Sequence, residues 1–234
     1  MQTTTFEREK ELLKEGKTLV IGIDEAGRGP LCGPVVAAAV WYKDPGFAIP
    51  ENLEKEFSMI RDSKKLSAVQ REKIFTLIHE YFYVGIGQVN AETIDRVNIL
   101  EATFLAMKAA LADLRRIIHP VSFIPYLLID GNQLIPNCSY EQETIIGGDS
   151  TVKSIAAASI IAKVTRDRLL DNYDTQFPGY GFLRHKGYGT KEHMDALRKL
   201  GPSPIHRMSF RPVMLSLPEN VNKRFANVLK PRKT

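Results

Sequence analysis

Hydrophobic and polar residues fall in blocks along the chain, and the period of the blocks changes. Residues 18–23 (TLVIGI) and 35–42 (VVAAAVWY) are apolar almost throughout and too short for helices, which predicts two strands, the first buried on both faces. The Gly/Pro-rich loop at 26–34 is too short for a helical crossover, so these strands should pair antiparallel. Ser67 predicts an N-cap for a helix reaching about Glu80, with Val69, Ile74, Leu77 and Ile78 on one side. Residues 81–89 read as a further strand. Leu100, Phe104, Met107, Leu111 and Leu114 recur at a spacing of 3–4 and predict one long helix from about Val97 to Ile118. Tyr126 to Ile129 is a short buried strand that stops at Asp130-Gly131-Asn132, and another lies near 143–146. A helix follows Asp149-Ser150 to about Tyr173, and a glycine- and aromatic-rich loop fills 179–189. Thr190 starts another helix, ended by Gly201-Pro202, and the tail reads as helical around 219–229. Strands alternating with helices predict an α/β sandwich built on a mixed sheet.

Composition narrows this picture. The chain has 234 residues, 44% hydrophobic and 25% charged, as expected of a globular protein able to bury a sizeable core. Its two cysteines, Cys32 and Cys138, form no C-x-x-C pattern, which argues against a disulfide framework or a cysteine-ligated zinc site. Intracellular, cytoplasmic residence is the expectation: the N-terminal stretch shows no secretory h-region. No apolar run approaches the ~18 residues a membrane span needs. Charge is distributed unevenly. Residues 151–234 hold 16 Lys/Arg against 6 Asp/Glu, whereas residues 1–150 hold 16 against 21. A basic C-terminal third suggests a polyanionic partner, although basic residues that merely solvate helices would give the same count.

The strand ends carry the chemistry. Ile23 is followed by Asp24-Glu25, and Ile129 by Asp130-Gly131. Ligands collect at strand ends in such sheets. Carboxylates brought together there repel, and a hard divalent cation relieves them through oxygen ligands. Asp149, after Gly147-Gly148, is a third candidate position. The bland readings are turn chemistry for Asp130 and a helix N-cap for Asp149, a task Ser150 can also perform. Neighbours on a regular strand point to opposite faces, so Asp24 and Glu25 share a site only if the strand breaks near Ala26-Gly27. Otherwise Glu25 serves through its carbonyl or at the rim. Gly27-Arg28-Gly29 then sets backbone N–H groups and a guanidinium beside the acids, suited to phosphate or to a ribose 2′-OH.

DEAGRGPLCGPVVAAAV, DSKKLS (62–67), LLIDGN (127–132), GGDS (147–150), SIAAASIIAKVTRD (154–167), HKGYGTKEH (185–193) and HRMSF (206–210) occur in that order. Together they resemble bacterial ribonuclease HII, the type 2 ribonuclease H family, over roughly residues 18–211. The resemblance implies a ribonuclease H-like fold, a mixed five-stranded sheet flanked by helices with a small C-terminal helical part. It divides the chain into an extension at 1–17, a catalytic domain at 18–200 and a basic helical tail at 201–234. It places the four catalytic, metal-binding acids on Asp24, Glu25, Asp130 and Asp149. It assigns Gly27, Arg28 and Gly29 to sensing the 2′-OH, and Tyr188 to stacking on the sugar beside the RNA–DNA junction, where core packing or loop anchoring is the bland alternative.

The activity so implied is hydrolysis by water at two Mg²⁺ or Mn²⁺ ions ~3.5–4 Å apart. The substrate is an RNA/DNA hybrid or duplex DNA with an embedded ribonucleotide, cut on the 5′ side of the ribonucleotide to leave 3′-hydroxyl and 5′-phosphate ends. Lys64, Lys65, Lys163, Arg166, Arg184 and Lys186 are candidate phosphate contacts, each equally readable as plain surface. Asp167 reads as helix surface or an ion-pair partner of Arg166 or Arg168, and His185, His193 and His206 as structural or substrate-side. No sequence feature demands a partner chain, so a monomer is expected. The rival readings are a non-catalytic nucleic-acid-binding module and another metal-dependent nuclease or transferase on the same fold.

Overall fold

The computed structural model describes residues 4–61, 63, 66–118 and 124–217. Strand β1 (Val20–Ala26) pairs antiparallel with β2 (Val35–Tyr42) and parallel with β4 (Tyr126–Asp130). Strand β5 (Glu141–Ile145) adds parallel to β4, and β3 (Phe82–Val89) completes the order β3-β2-β1-β4-β5. The expected antiparallel first pair and mixed sheet are both found. β1 is central: Val20, Ile21 and Ile23 have no exposed surface, which explains its continuous apolar run.

Nine α-helices lie among the described residues: α1 (Glu7–Lys14), α2 (Glu54–Ser58), α3 (Ala68–Tyr81), α4 (Ala91–Val97), α5 (Ile99–Ile118), α6 (Lys153–Gln176), α7 (Phe182–His185), α8 (Lys191–Leu200) and α9 (Arg211–Met214). Ser67 caps α3 through a reciprocal capping box with Gln70. Ile74 and Ile78 face the core, but Val69 is 81% exposed, because five residues of helix turn it about 140° away from Ile74. The long helix expected from about Val97 to Ile118 is found as α5, and a short helix the sequence reading does not anticipate, α4, precedes it. Asn98 separates the two at φ 75° and caps α5 by accepting from the Leu100 and Glu101 N–H groups. Asn90 caps α4, accepting from the Thr93 N–H. The expected loop at 179–189 contains the short α7, and the expected tail helix at 219–229 lies outside the described residues.

Two compact units interleave along the chain. The first comprises Met1–Ala26, Val36–Gln88 and Thr103–Thr165; the second comprises Gly27–Val35, Val89–Ala102 and Arg166–Thr234. In the first, Phe6 and Leu12 of the N-terminal stretch join the main core, so part of the supposed extension is built into the fold. Helix α6 approaches β1 so closely that a Cβ at Gly22 would lie 2.3 Å from the Ser154 carbonyl carbon. Buried Glu9 accepts from the Ser154 N–H at 2.9 Å, which places a carboxyl at the start of α6. In the second unit, Cys32, Leu170, Tyr180, Phe182 and Ala196 form one cluster, and Leu31, Leu197 and Val213 another. No helix among the described residues is long and apolar enough to cross a membrane.

Candidate active site

Register brings the strand-end acids together. Ile23 is the partner of Ile129 in the parallel pair, so the next residues, Asp24 and Asp130, emerge side by side. Asp149 arrives from a 3-10 turn, Gly148–Ser150, after β5 and ahead of α6. Carboxylate oxygens of Asp24, Asp130 and Asp149 all lie within 4.8 Å of one another. Asp24 and Asp149 are buried, and the Asp149 N–H donates to Asp130 Oδ1 at 3.4 Å. Asp149 precedes α6 by a full turn and does not cap it; the Ser150 hydroxyl donates to Asp149 Oδ1 at 3.2 Å.

The electrostatics call for a counter-charge. Burial, then the charges of Glu25 and Asp130, push the Asp24 carboxyl well above the usual carboxylate range. Hydrogen bonds from the Ser159 hydroxyl and from the Glu25 N–H, the latter at 2.7 Å, pull the other way. An all-oxygen, mutually repelling donor set suits a hard divalent cation, so the residues present fit the metal the sequence implies. Strand β1 does not break after Asp24: Glu25 pairs with Ala37 and Ala26 with Val36. Glu25 is not among the three acids whose oxygens converge within 4.8 Å, yet its charge raises the Asp24 carboxyl more than that of Asp130 does.

Ser159 of α6 and Ser63, whose hydroxyls lie 3.0 Å apart and both buried, are supporting residues that sequence reasoning missed. Their signal was a lone polar residue inside the apolar run AAASIIA, and a serine beside Asp62 in DSKKLS.

In the second unit, two buried arginines organise the 27–34 loop. Arg207 donates to the carbonyls of Gly27 (2.6 Å), Arg28 (3.0 Å), Pro30 (2.7 Å) and Gly33 (3.0 Å). Arg166 donates to the carbonyls of Cys32 (2.9 Å), Pro34 (3.0 Å) and Lys186 (3.0 Å). A trans peptide sets N–H opposite C=O. With the Gly27 and Arg28 carbonyls drawn to Arg207, the N–H groups of Arg28 and Gly29 are aimed away from it, and both residues are exposed. Gly27 has φ 101°, and a Cβ there would meet Arg166 Nε at 2.2 Å, so only glycine fits. At Gly29 a Cβ would meet only the Tyr188 ring, at 3.8 Å. Tyr188 itself is 48% exposed, not core.

The expected phosphate contacts separate. Arg166 is corrected: it is buried, and each of its three nitrogens donates to a backbone carbonyl, so the side chain is committed to the loop and is not a surface cation. Arg184 pairs with Glu192, and Lys186 with Asp171. Lys163 is partly exposed, and Lys64 and Lys65 lie outside the described residues.

A mixed five-stranded sheet in this order, flanked by helices, is the ribonuclease H-like α/β fold. The family model for ribonuclease HII matches residues 21–213. The chain is 51% identical over 209 residues to ribonuclease HII of Geotalea uraniireducens, covering 89% of each chain. It is 50% identical over 203 residues to that of Acetivibrio thermocellus, covering 86% of this chain and 73% of the relative. Among solved structures it resembles ribonuclease HII of Archaeoglobus fulgidus, determined in a complex with PCNA, at TM-score 0.63 and 25% identity over 82% of this chain and 95% of that one. Bst-RNase HIII in complex with Mn²⁺ shares the fold at TM-score 0.63 and 20% identity, over 89% and 71% of the two chains. The chain belongs to the ribonuclease HII family, whose members are metal-dependent endonucleases.

Proposed function

We propose that Asp24, Asp130 and Asp149 hold the divalent cation, Mg²⁺ or Mn²⁺, with Glu25 the fourth acid of the catalytic set, and that Gly27, Arg28, Gly29 and Tyr188 read the ribose. As a ribonuclease HII the protein is an endoribonuclease acting on RNA/DNA hybrids. The finer reading is cleavage on the 5′ side of a ribonucleotide, including one embedded in duplex DNA. The single observation that carries the metal assignment is the convergence of three carboxylates from β1, β4 and the turn before α6 within 4.8 Å.

Held by Asp24, Asp130 and Asp149, a divalent cation would supply activated water at neutral pH and stabilisation of the charge developing on the phosphodiester. The chain's own groups do the positioning. Ser159 and the Glu25 N–H fix Asp24, and the Asp149 N–H fixes Asp130. The outward-aimed N–H groups of Arg28 and Gly29 suit a ribose or phosphate oxygen, and a deoxyribose would leave a recognition group without its partner. Tyr188, exposed next to Gly29, offers a stacking face. Lys64, Lys65 and Lys163 remain proposed phosphate contacts, and the paired Arg184 and Lys186 would have to exchange partners to join them.

The test is a labelled DNA duplex bearing one ribonucleotide, incubated with Mn²⁺ or Mg²⁺ beside an all-DNA control. Cutting of the first alone, 5′ of the ribonucleotide, supports the reading. An uncut duplex supports a binding module, and cleavage of both supports a DNA nuclease.

A further inference from the structure

The second unit buries a cluster that this chemistry leaves unused. Cys32 Sγ and the ring nitrogens of His193 and His206 lie within 4.8 Å of one another, and all three residues are buried. Hydrogen bonding fixes where the protons are. His206 Nδ1 faces the Ser203 backbone N–H at 2.9 Å, and that group can only donate. The Ser203 hydroxyl lies 2.8 Å from the same nitrogen. His206 Nδ1 is therefore an acceptor, and the proton of the neutral ring sits on Nε2. That Nε2–H points at His193 Nε2, 2.9 Å away. His193 Nε2 accepts in turn, which leaves its proton on Nδ1, where it donates to the Tyr188 carbonyl at 3.0 Å. A directed chain results, from Ser203 through His206 and His193 to Tyr188.

The same protons argue against a metal ion at these three residues. A cation on His206 Nε2 would force the ring proton onto Nδ1, against the Ser203 N–H. The thiol of Cys32 is also held protonated, its pKa raised by burial to about 12 despite Arg166 and Arg207 nearby. Burial pushes His193 down to about 4 and His206 to about 3, with His185 opposing charge on both and His193 opposing it on His206. The rings packed around them are His185, stacked on His193 at 4.4 Å, with Tyr180 and Phe182 beside His206 at 5.1 and 5.7 Å. Both imidazoles are neutral, as the chain requires.

What the chain holds is the backbone of Tyr188. Its carbonyl also accepts from the Thr190 N–H at 2.8 Å, and its N–H donates to the His185 carbonyl at 2.9 Å. The peptide is pinned while the ring stands half exposed beside Gly29. We propose that His206 and His193 are positioning residues for ribose recognition, acting as a proton-ordered relay that fixes Tyr188 where its ring meets the sugar. This rests on the reading of Tyr188 as the stacking residue.

The test is a double-mutant cycle on the full chain with Mn²⁺ and the single-ribonucleotide duplex, joined to nitrogen-15 NMR of the histidines in the wild-type protein. His206→Leu breaks the relay and should raise KM about tenfold while kcat stays within about twofold. His206→Gln, whose amide both accepts and donates, should restore most of the loss. In a Tyr188→Ala background, His206→Leu should change nothing further. NMR should show the less common Nδ1–H tautomer for His193 and Nε2–H for His206. An undiminished His206→Leu effect in the Tyr188→Ala background overturns the relay, and so does a wild-type His193 protonated on Nε2, which needs no variant to fold. Tyr188→Ala with unchanged KM instead overturns the stacking reading on its own.

Discussion

Asp24, at the end of β1, and Asp130, at the end of its parallel neighbour β4, present carboxylate oxygens within 4.8 Å of each other, although more than a hundred residues of chain separate them. The register makes this inevitable once Ile23 pairs with Ile129. Their repulsion is a standing cost in the metal-free protein, and a bound cation turns it into affinity.

Replacing one of the pair should therefore separate stability from activity. Asp130→Asn removes a charge beside Asp24 and keeps the shape, so the metal-free variant should melt no lower than wild type, while cleavage falls to background and duplex binding persists. Mn²⁺ should raise the wild-type Tm by mass action and raise that of the variant much less. Melting curves with and without Mn²⁺, beside a cleavage assay, check both halves. Turnover near the wild-type level would remove Asp130 from the site.

Ser159 supports Asp24 from α6 without belonging to the acid set. Ser159→Ala should weaken Mn²⁺ binding about 10–100-fold, the usual effect of losing a group that orients a metal ligand. Calorimetric titration with Mn²⁺ measures this, and an unchanged affinity would make the Ser159–Ser63 contact purely a packing feature.

The two glycines of the ribose loop should behave differently. Gly27→Ala strains a positive φ and drives a Cβ into Arg166, so it should cost about 1–3 kcal/mol of stability in denaturant unfolding. At Gly29 an added Cβ meets only the Tyr188 ring, so Gly29→Leu should fold normally and lose discrimination between ribo- and deoxyribonucleotide duplexes. A destabilised Gly29→Leu with intact discrimination would make the loop structural.

The buried histidines set a pH dependence. His193 and His206 titrate near 4 and 3 in the folded protein, below the ordinary value of 6.5. Below pH 6.5 the unfolded chain binds protons that the folded one refuses, so stability is fully present above 6.5 and is lost as pH falls toward 4. The loss should be about 1 kcal/mol per pH unit for each histidine. Urea unfolding at pH 7.5 and 5.5 should show this difference, and it should shrink in His193→Gln. An unchanged difference in that variant would place the acid sensitivity elsewhere.

These features differ in how visibly they are written in the sequence. Asp24 and Asp130 are legible because each follows an apolar run at a strand end, and the parallel register does the rest. Glu25 is less so: whether it joins Asp24 depends on where the strand ends, and pairing continues through Ala26. Helix α4 is not legible: it is only seven residues long, and the turn at Asn98 that separates it from α5 shows only in the positive-φ backbone. Arg166 and Arg207 look like surface cations in a basic segment, since nothing local shows that seven carbonyls will surround them. The histidine relay is equally non-local, joining positions 193 and 206 to the loop residue 188 through proton placement alone.

A crystal of the protein soaked in Mn²⁺ and read by anomalous scattering tests the three-acid metal site. The expected result is an ion in contact with oxygens of Asp24, Asp130 and Asp149. An ion seated elsewhere, or a fully occupied ion touching Asp24 but neither Asp130 nor Asp149, would contradict it.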